Sequence, residues 1–127
     1  MREIVKKILI IDDEDDLCQL TKLRLEKTGK FEVLTSAGGT QGIKLAKEKH
    51  PDLILLDVLM PLMSGPEVAE CLLKDPAIND IAIIFFTVIV SEKEVRDSKG
   101  MIGGREFIAK SIKSEELIRR IEKALEE

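Results

Sequence analysis

The run Asp52-Leu53-Ile54-Leu55-Leu56-Asp57 decides how this chain is read, because an unbroken apolar stretch ends in a carboxylate. A continuous apolar run, rather than an alternating one, marks a strand buried on both faces of a parallel sheet flanked by helices. Upstream, Lys7-Ile8-Leu9-Ile10-Ile11 leads in the same way into Asp12-Asp13-Glu14-Asp15-Asp16. Two buried strands therefore each end in acid, and open parallel sheets bind ligands outside the carboxyl ends of their strands. If the two strands are neighbours, their carboxylates share one rim and repel each other unless a cation lies among them. An all-oxygen cluster suits a hard ion such as Mg²⁺.

Outward from these runs the pattern alternates strand and helix. Ile8 to Ile11 is the first strand, and Asp15 to Thr28 reads as a helix carrying Leu17, Leu20, Leu23 and Leu25, with Gly29 as its C-cap. Phe31 to Thr35 is a second strand, and Thr40 to Lys49 a second helix that His50-Pro51 ends. The third strand closes at Asp57, a loop with Pro61 and Gly65 follows, and Pro66 to Lys74 reads as a helix with proline in its first turn. Ile81 to Phe86 is the fourth strand and Glu106 to Ala109 the fifth. The last helix is expected from Ser114 to Leu125, with Ser114 as N-cap and Glu115 and Glu116 in its first turn. Between the last two strands, Ser91 to Gly104 predicts only a short, mobile helix, because Gly100, Gly103 and Gly104 weaken it.

Five strands alternating with five helices predict an α/β fold, a doubly wound five-stranded parallel sheet, since right-handed crossovers put helices on both faces. Pattern alone leaves the strand order open. The order 2-1-3-4-5 sets strands one and three side by side and brings Asp12, Asp13 and Asp57 together, and the acidic strand ends favour it.

Composition bounds the partners. The chain has 127 residues, read as one domain over 1–127, with 44% hydrophobic and 35% charged residues, a globular balance. A net charge of −4 without a basic stripe argues against direct nucleic-acid binding. Cys18 and Cys71 stand apart without CxxC spacing or a secretory signal, so reduced, packed thiols and a cytoplasmic setting are expected. The apolar stretch Ile81 to Val90 is too short to span a bilayer, so no membrane association is expected.

Four elements together resemble the receiver domains of two-component response regulators over essentially the whole chain. They are Ile10-Ile11-Asp12-Asp13-Glu14, Leu55-Leu56-Asp57-Val58-Leu59-Met60-Pro61 with Gly65, Thr87, and Phe107-Ile108-Ala109-Lys110, each at the end of a strand. The resemblance implies a flavodoxin-like three-layer sandwich and phosphoryl transfer from a kinase phosphohistidine onto an aspartate, followed by hydrolysis. It makes Asp57 the phosphoacceptor, and Asp12 and Asp13, with Asp57 and the Leu59 carbonyl, the Mg²⁺ ligands. Thr87 and Lys110 would contact the phosphoryl group, and Thr87 with Phe107 would form the switch. Glu14, Asp15 and Asp16 are read as helix-start acids that favour the positive dipole end. The implied partners are a sensor histidine kinase or phosphotransfer protein and an unidentified output protein or effector domain. Such a chain modifies and dephosphorylates itself rather than turning over like a conventional enzyme.

Three departures from the family pattern qualify these expectations. Val88 and Ile89 follow Thr87 where a small residue is usual, and with Leu59 they make an apolar rim that restricts access to the site. Ser111 follows Lys110 where a cis proline is usual, so that bond is either trans or strained. The third is the glycine-rich segment Lys99 to Gly104, in place of a firmer helix. A flavodoxin-type nucleotide binder lacks support because the first strand ends in acids that repel phosphate. A haloacid-dehalogenase-like phosphatase lacks its alternating aspartates. The competing reading is a receiver-like interaction module that works without phosphorylation. Met60, Met63 and Met101 are read as packing residues, and His50 as a solvated or capping one.

Overall fold

The computed structural model describes residues 4–97, 101–102 and 105–126. In chain order the elements are β1 (Lys6–Ile11), α1 (Asp15–Glu26), β2 (Phe31–Ser36), α2 (Gly39–Lys49), β3 (Leu53–Leu56), α3 (Gly65–Lys74), β4 (Ala82–Thr87), α4 (Glu92–Asp97), β5 (Met101–Ile102), β6 (Arg105–Ala109) and α5 (Ser114–Ala124). The sheet order is β2-β1-β3-β4-β6-β5. The five parallel strands thus take the expected order 2-1-3-4-5, with β6 as the fifth. Ile11 lies opposite Leu56 in the register of β1 and β3, so Asp12 and Asp57 follow side by side.

Strand side chains alternate between the two faces, and two apolar layers result. Ile8, Ile10, Leu53, Leu55, Ile84, Phe86 and Ile108 pack with Cys18 and Leu25 of α1 and Leu117 and Ile121 of α5. Leu9, Ile11, Ile54, Leu56 and Phe85 pack with Ala46 of α2 and Val68, Ala69 and Leu72 of α3. This explains why the runs before Asp12 and Asp57 are apolar without alternation: both of their faces are covered. Each fully buried leucine or isoleucine contributes about 1.5–3 kcal/mol to this sandwich.

Several local expectations are corrected. The buried row of α1 is Cys18, Thr21 and Leu25, whereas Leu20 and Leu23 face outward. A helix of this pitch cannot turn all four leucines inward, and the row meeting the sheet wins. Ser114 does not cap α5; Lys113 holds the N-cap position without a side-chain cap bond, and the Ser114 hydroxyl is taken by Arg24. Cys71 is exposed on α3 rather than packed, while Cys18 is buried, and both are free thiols. Met60 and Met63 pack against the α2/α3 layer, but Met101 is exposed. The C-cap of α1 is Lys27 rather than Gly29, because the helix already ends at Glu26, and Gly29 takes a left-handed conformation two residues later; His50 is left-handed as the C-cap of α2, its Nε2 lying 3.1 Å from the Ala77 carbonyl oxygen.

The segment expected as a short helix holds α4 and then the two-residue strand β5, antiparallel to β6. Gly100, Gly103 and Gly104 lie outside the described residues. Among the described residues every peptide bond is trans, Lys110–Ser111 included, which resolves the choice left open for that bond. No described helix is long and apolar enough to cross a membrane.

Candidate functional site

The strand ends assemble one cluster. Asp12 and Asp13 leave β1, Asp57 leaves β3, and carboxylate oxygens of all three lie within 4.8 Å of one another. Thr87 ends β4 and Lys110 follows β6, with the Lys110 backbone N–H donating to the Thr87 carbonyl at 3.0 Å. The Asp57 backbone N–H donates to the Ile11 carbonyl at 3.0 Å, extending the β1/β3 ladder to the acidic residue itself. Asp12, Asp57, Thr87 and Lys110 are buried polar groups, and Asp13 is exposed. Burial of this much charge is tolerable only with compensating partners.

Those partners are present. The Lys110 ammonium lies 2.6 Å from Asp12 Oδ2, 3.3 Å from Glu14 Oε1 and 3.6 Å from Asp57 Oδ2. Asp12 Oδ1 accepts the Glu14 backbone N–H at 2.9 Å, and Asp57 Oδ1 accepts the Val58 N–H at 2.9 Å. Burial pushes the Asp57 carboxyl above its ordinary value and the charge of Asp12 adds to this; Lys110, the Thr87 hydroxyl and the Val58 N–H oppose it. Burial works against the Lys110 charge, but hydrogen bonding and attraction from Asp12, then Asp57 and Glu14, outweigh it and hold its pKa above the ordinary lysine value. Cys18, whose thiol donates to the Asp12 carbonyl at 3.4 Å, is pushed up to about 12 by burial and then by Asp12, so it is an inert thiol.

This donor set fits a hard divalent cation. Its atoms are all carboxylate oxygens, two of the three residues are buried, and Asp57 resists ionising through its burial and then through Asp12, a cost that a divalent ion relieves. The loop after β3 is shaped to hold Asp57 in place. Gly65 donates to the Val58 carbonyl at 2.9 Å, and a Cβ at Gly65 would collide with the Asp57 carbonyl oxygen. Ser64 and Glu67 then start α3 with a reciprocal capping box.

The other residues singled out from sequence stand around this centre. Leu59, Val88 and Ile89 are 61%, 67% and 48% exposed on the loops after β3 and β4. The Ile89 backbone N–H reaches the Thr87 hydroxyl at 3.4 Å. Phe107 is half-buried on β6 and stacks on the buried Phe85, with ring centroids 5.0 Å apart. Two residues were not foreseen as partners of this rim. Glu14, by its sequence position a helix-start acid, also reaches Lys110 with its carboxylate. Arg24 had no assigned role, and it grips the turn that follows Lys110. No local signal finds such pairs, because their members lie 96 and 88 positions apart. The capping box did have a signal, the Ser64-Gly65-Pro66-Glu67 spacing.

Comparison with known proteins agrees with this arrangement. The family model for the response regulator receiver domain matches residues 8–122. The chain is 32% identical over 120 residues to the probable transcriptional regulator ycf27 of Porphyridium aerugineum, covering 94% of this chain and 48% of that protein. It is also 32% identical over 120 residues to protein PilH of Pseudomonas aeruginosa, covering 94% of this chain and 97% of that one. Among solved structures, the chemotaxis protein CheY4 of Vibrio cholerae superposes with a TM-score of 0.80 at 25% identity, covering 96% of this chain and all of that one. The chain spans about half the length of the first curated relatives it matches.

Proposed function

This chain belongs to the response regulator receiver domain family of two-component signalling, and from that premise we propose that it takes a phosphoryl group onto Asp57 from a phosphohistidine of a sensor kinase or phosphotransfer protein. The observation that carries the reading is the meeting of Asp12, Asp13 and Asp57 with a buried lysine at the ends of adjacent strands. A carboxylate oxygen of Asp57 attacks phosphorus, the new O–P bond forms as the P–N bond breaks, and the imidazole nitrogen keeps the electron pair. The product is an acyl phosphate, which water later cleaves at phosphorus to return the carboxylate. Asp12, Asp13 and Asp57, with the Leu59 carbonyl, would hold Mg²⁺, which when bound supplies positive charge against the phosphoryl oxygens.

The chain's own groups do the rest. Lys110 is kept charged and close, so its ammonium is ready to pair with a phosphoryl oxygen as a point charge. Thr87 already faces the Asp57 carboxylate, and its hydroxyl is available to donate to the phosphoryl group. A new bond there draws the loop carrying Val88 and Ile89 inward and shifts the population of the surface toward α4 and α5. That surface addresses an output partner or effector domain in the cytoplasm. Leu59, Val88 and Ile89 hinder attacking water and slow loss of the phosphoryl group.

The stacked Phe107 favours a second reading. A ring already settled on Phe85 leaves less for phosphorylation to change, as in a module that binds its partner without a switch. Intact-mass measurement after incubation with Mg²⁺ and acetyl phosphate or a phosphohistidine donor separates the two. The expected result is one phosphate adduct, lost in Asp57→Asn and with a chelator. A folded, Mg²⁺-binding chain that takes no adduct from either donor would overturn the phosphoacceptor reading in favour of the second.

A further inference from the structure

Lys110 reaches the cluster from a turn, and that turn is held by a helix remote from the chemistry. After β6 the Ile112 N–H closes back onto the Ala109 carbonyl at 3.1 Å, and α5 then begins without a side-chain cap bond. Across the turn lies Arg24, in the last turn of α1. Its Nε donates to the Ser114 hydroxyl at 2.7 Å and its Nη2 to the Ile112 carbonyl at 3.1 Å. A planar guanidinium bonded at two points fixes both the position and the tilt of the segment it grips. At the other end of the same helix, Glu14 meets the Lys110 ammonium itself. Glu14 and Arg24 are separated by roughly 15 Å of helix, so Arg24 acts on the loop and not on the reacting atoms.

We infer that Arg24 is a positioning residue that sets where the Lys110 ammonium stands, with α1 as a rigid brace between the two. The inference rests on the proposed contact of Lys110 with the phosphoryl group. The need is specific to this chain: Lys110–Ser111 is a trans bond without a proline ring to fix the backbone after Lys110, and a lysine stem amplifies any swing of the backbone that carries it. Lys110 stays buried only if the turn keeps its ammonium among Asp12, Glu14 and Asp57.

The test uses Arg24→Met in the full chain, with Ser114→Ala as the milder variant that removes one acceptor. Acylation of lysine amines without metal, resolved by peptide mass spectrometry, reads the position of Lys110 directly, with exposed Lys47 as the internal reference. Labelling of Lys110 relative to Lys47 is expected to rise several-fold in Arg24→Met and less in Ser114→Ala. Adduct formation with acetyl phosphate should slow by roughly tenfold in Arg24→Met, the low end for one hydrogen bond to a charged group. Calorimetric Mg²⁺ affinity should not fall, because loosening Lys110 frees an oxygen of Asp12. A parallel rise at Lys47 would report unfolding and pass the decision to Ser114→Ala. Unchanged Lys110 labelling in the folded variants overturns the inference, and so does raised labelling with an unchanged rate. Should the wild-type chain itself form no adduct, the phosphoacceptor reading sinks, the rate decides nothing about Arg24, and labelling alone does: a rise at Lys110 in Arg24→Met then leaves the brace standing.

Discussion

On the β3 side of the rim, the loop from Asp57 to Gly65 leads into α3; on the β4 side, the loop from Thr87 to Ser91 leads into α4. The same device starts both helices, Ser64 with Glu67 in one and Ser91 with Glu94 in the other, each serine exchanging bonds with the glutamate three residues on. What lies beneath differs. α3 buries Val68, Ala69 and Leu72 against the sheet, whereas in the six-residue α4 Val95 is the buried residue among those described. Caps decide where a helix begins, but apolar burial decides how firmly it is held. The acidic chemistry is thus mounted on the firm side, and the segment expected to respond to it is mounted on the side with less to lose by moving.

The substitution with the largest expected effect leaves both loops in place and removes the chemistry. Asp57→Asn should abolish the proposed phosphate adduct, yet it should raise stability at neutral pH in the absence of divalent ions. The folded Asp57 carboxyl titrates above its unfolded value, mainly through burial and then through Asp12, so its ionised form weighs against folding. That penalty is present above the folded pKa and vanishes as pH falls below the unfolded one, so the two melting curves should converge toward acid. Equal melting temperatures at pH 7 would show that Lys110 fully compensates the buried charge.

Next in size is Gly65→Ala, which drives a methyl group into the Asp57 carbonyl oxygen and the Val58 backbone. Forcing this loop open should cost about 2–3 kcal/mol in denaturant unfolding. A cost near zero would mean that the β3 side is as yielding as the β4 side, and the contrast between them would fail. Smaller and more discriminating is a matched pair of cap removals. Ser64→Ala should lower global stability by about 1 kcal/mol. Ser91→Ala should leave the global transition nearly unmoved, because α4 opens without the rest, while amide exchange rises within α4.

The same contrast explains what could be read from the sequence. Fold class and strand order were legible because β1 and β3 are apolar on both faces and acidic at one end, a pattern that few other arrangements satisfy. Asp12, Asp13 and Asp57 came with it, since register places them once β1 and β3 are neighbours. The inward face of α1 was not legible, because spacing alone does not choose between leucine rows, and the sheet selected Cys18, Thr21 and Leu25. Ser114 looked like a cap because serine before acids usually is one, but a guanidinium from a distant helix claimed its hydroxyl. Lys110, whose partners Asp12 and Asp57 also lie far away in the sequence, was legible only through the family resemblance; Glu14 and Arg24, whose partners arrive from the far end of the chain and which the resemblance does not mark, were not.

The smallest expected change in stability belongs to the β4 side and carries the sharpest kinetic signal. Val88 is 67% exposed, so Val88→Ala removes little buried surface and should move the unfolding free energy by less than about 0.5 kcal/mol. Yet Val88 directly follows Thr87, and with Ile89 it sits on the loop that a bond from Thr87 to the phosphoryl group would draw over the site. Truncating it opens a path for water, and autodephosphorylation should quicken several-fold; phosphorylation by acetyl phosphate should quicken too if the small donor enters the same way. Decay of the adduct, followed by intact mass after donor removal, measures the first rate apart from the second. An unchanged decay would place the barrier to water elsewhere on the rim, at Leu59, where the firm loop after β3 would then govern the lifetime of the signal as well as its formation.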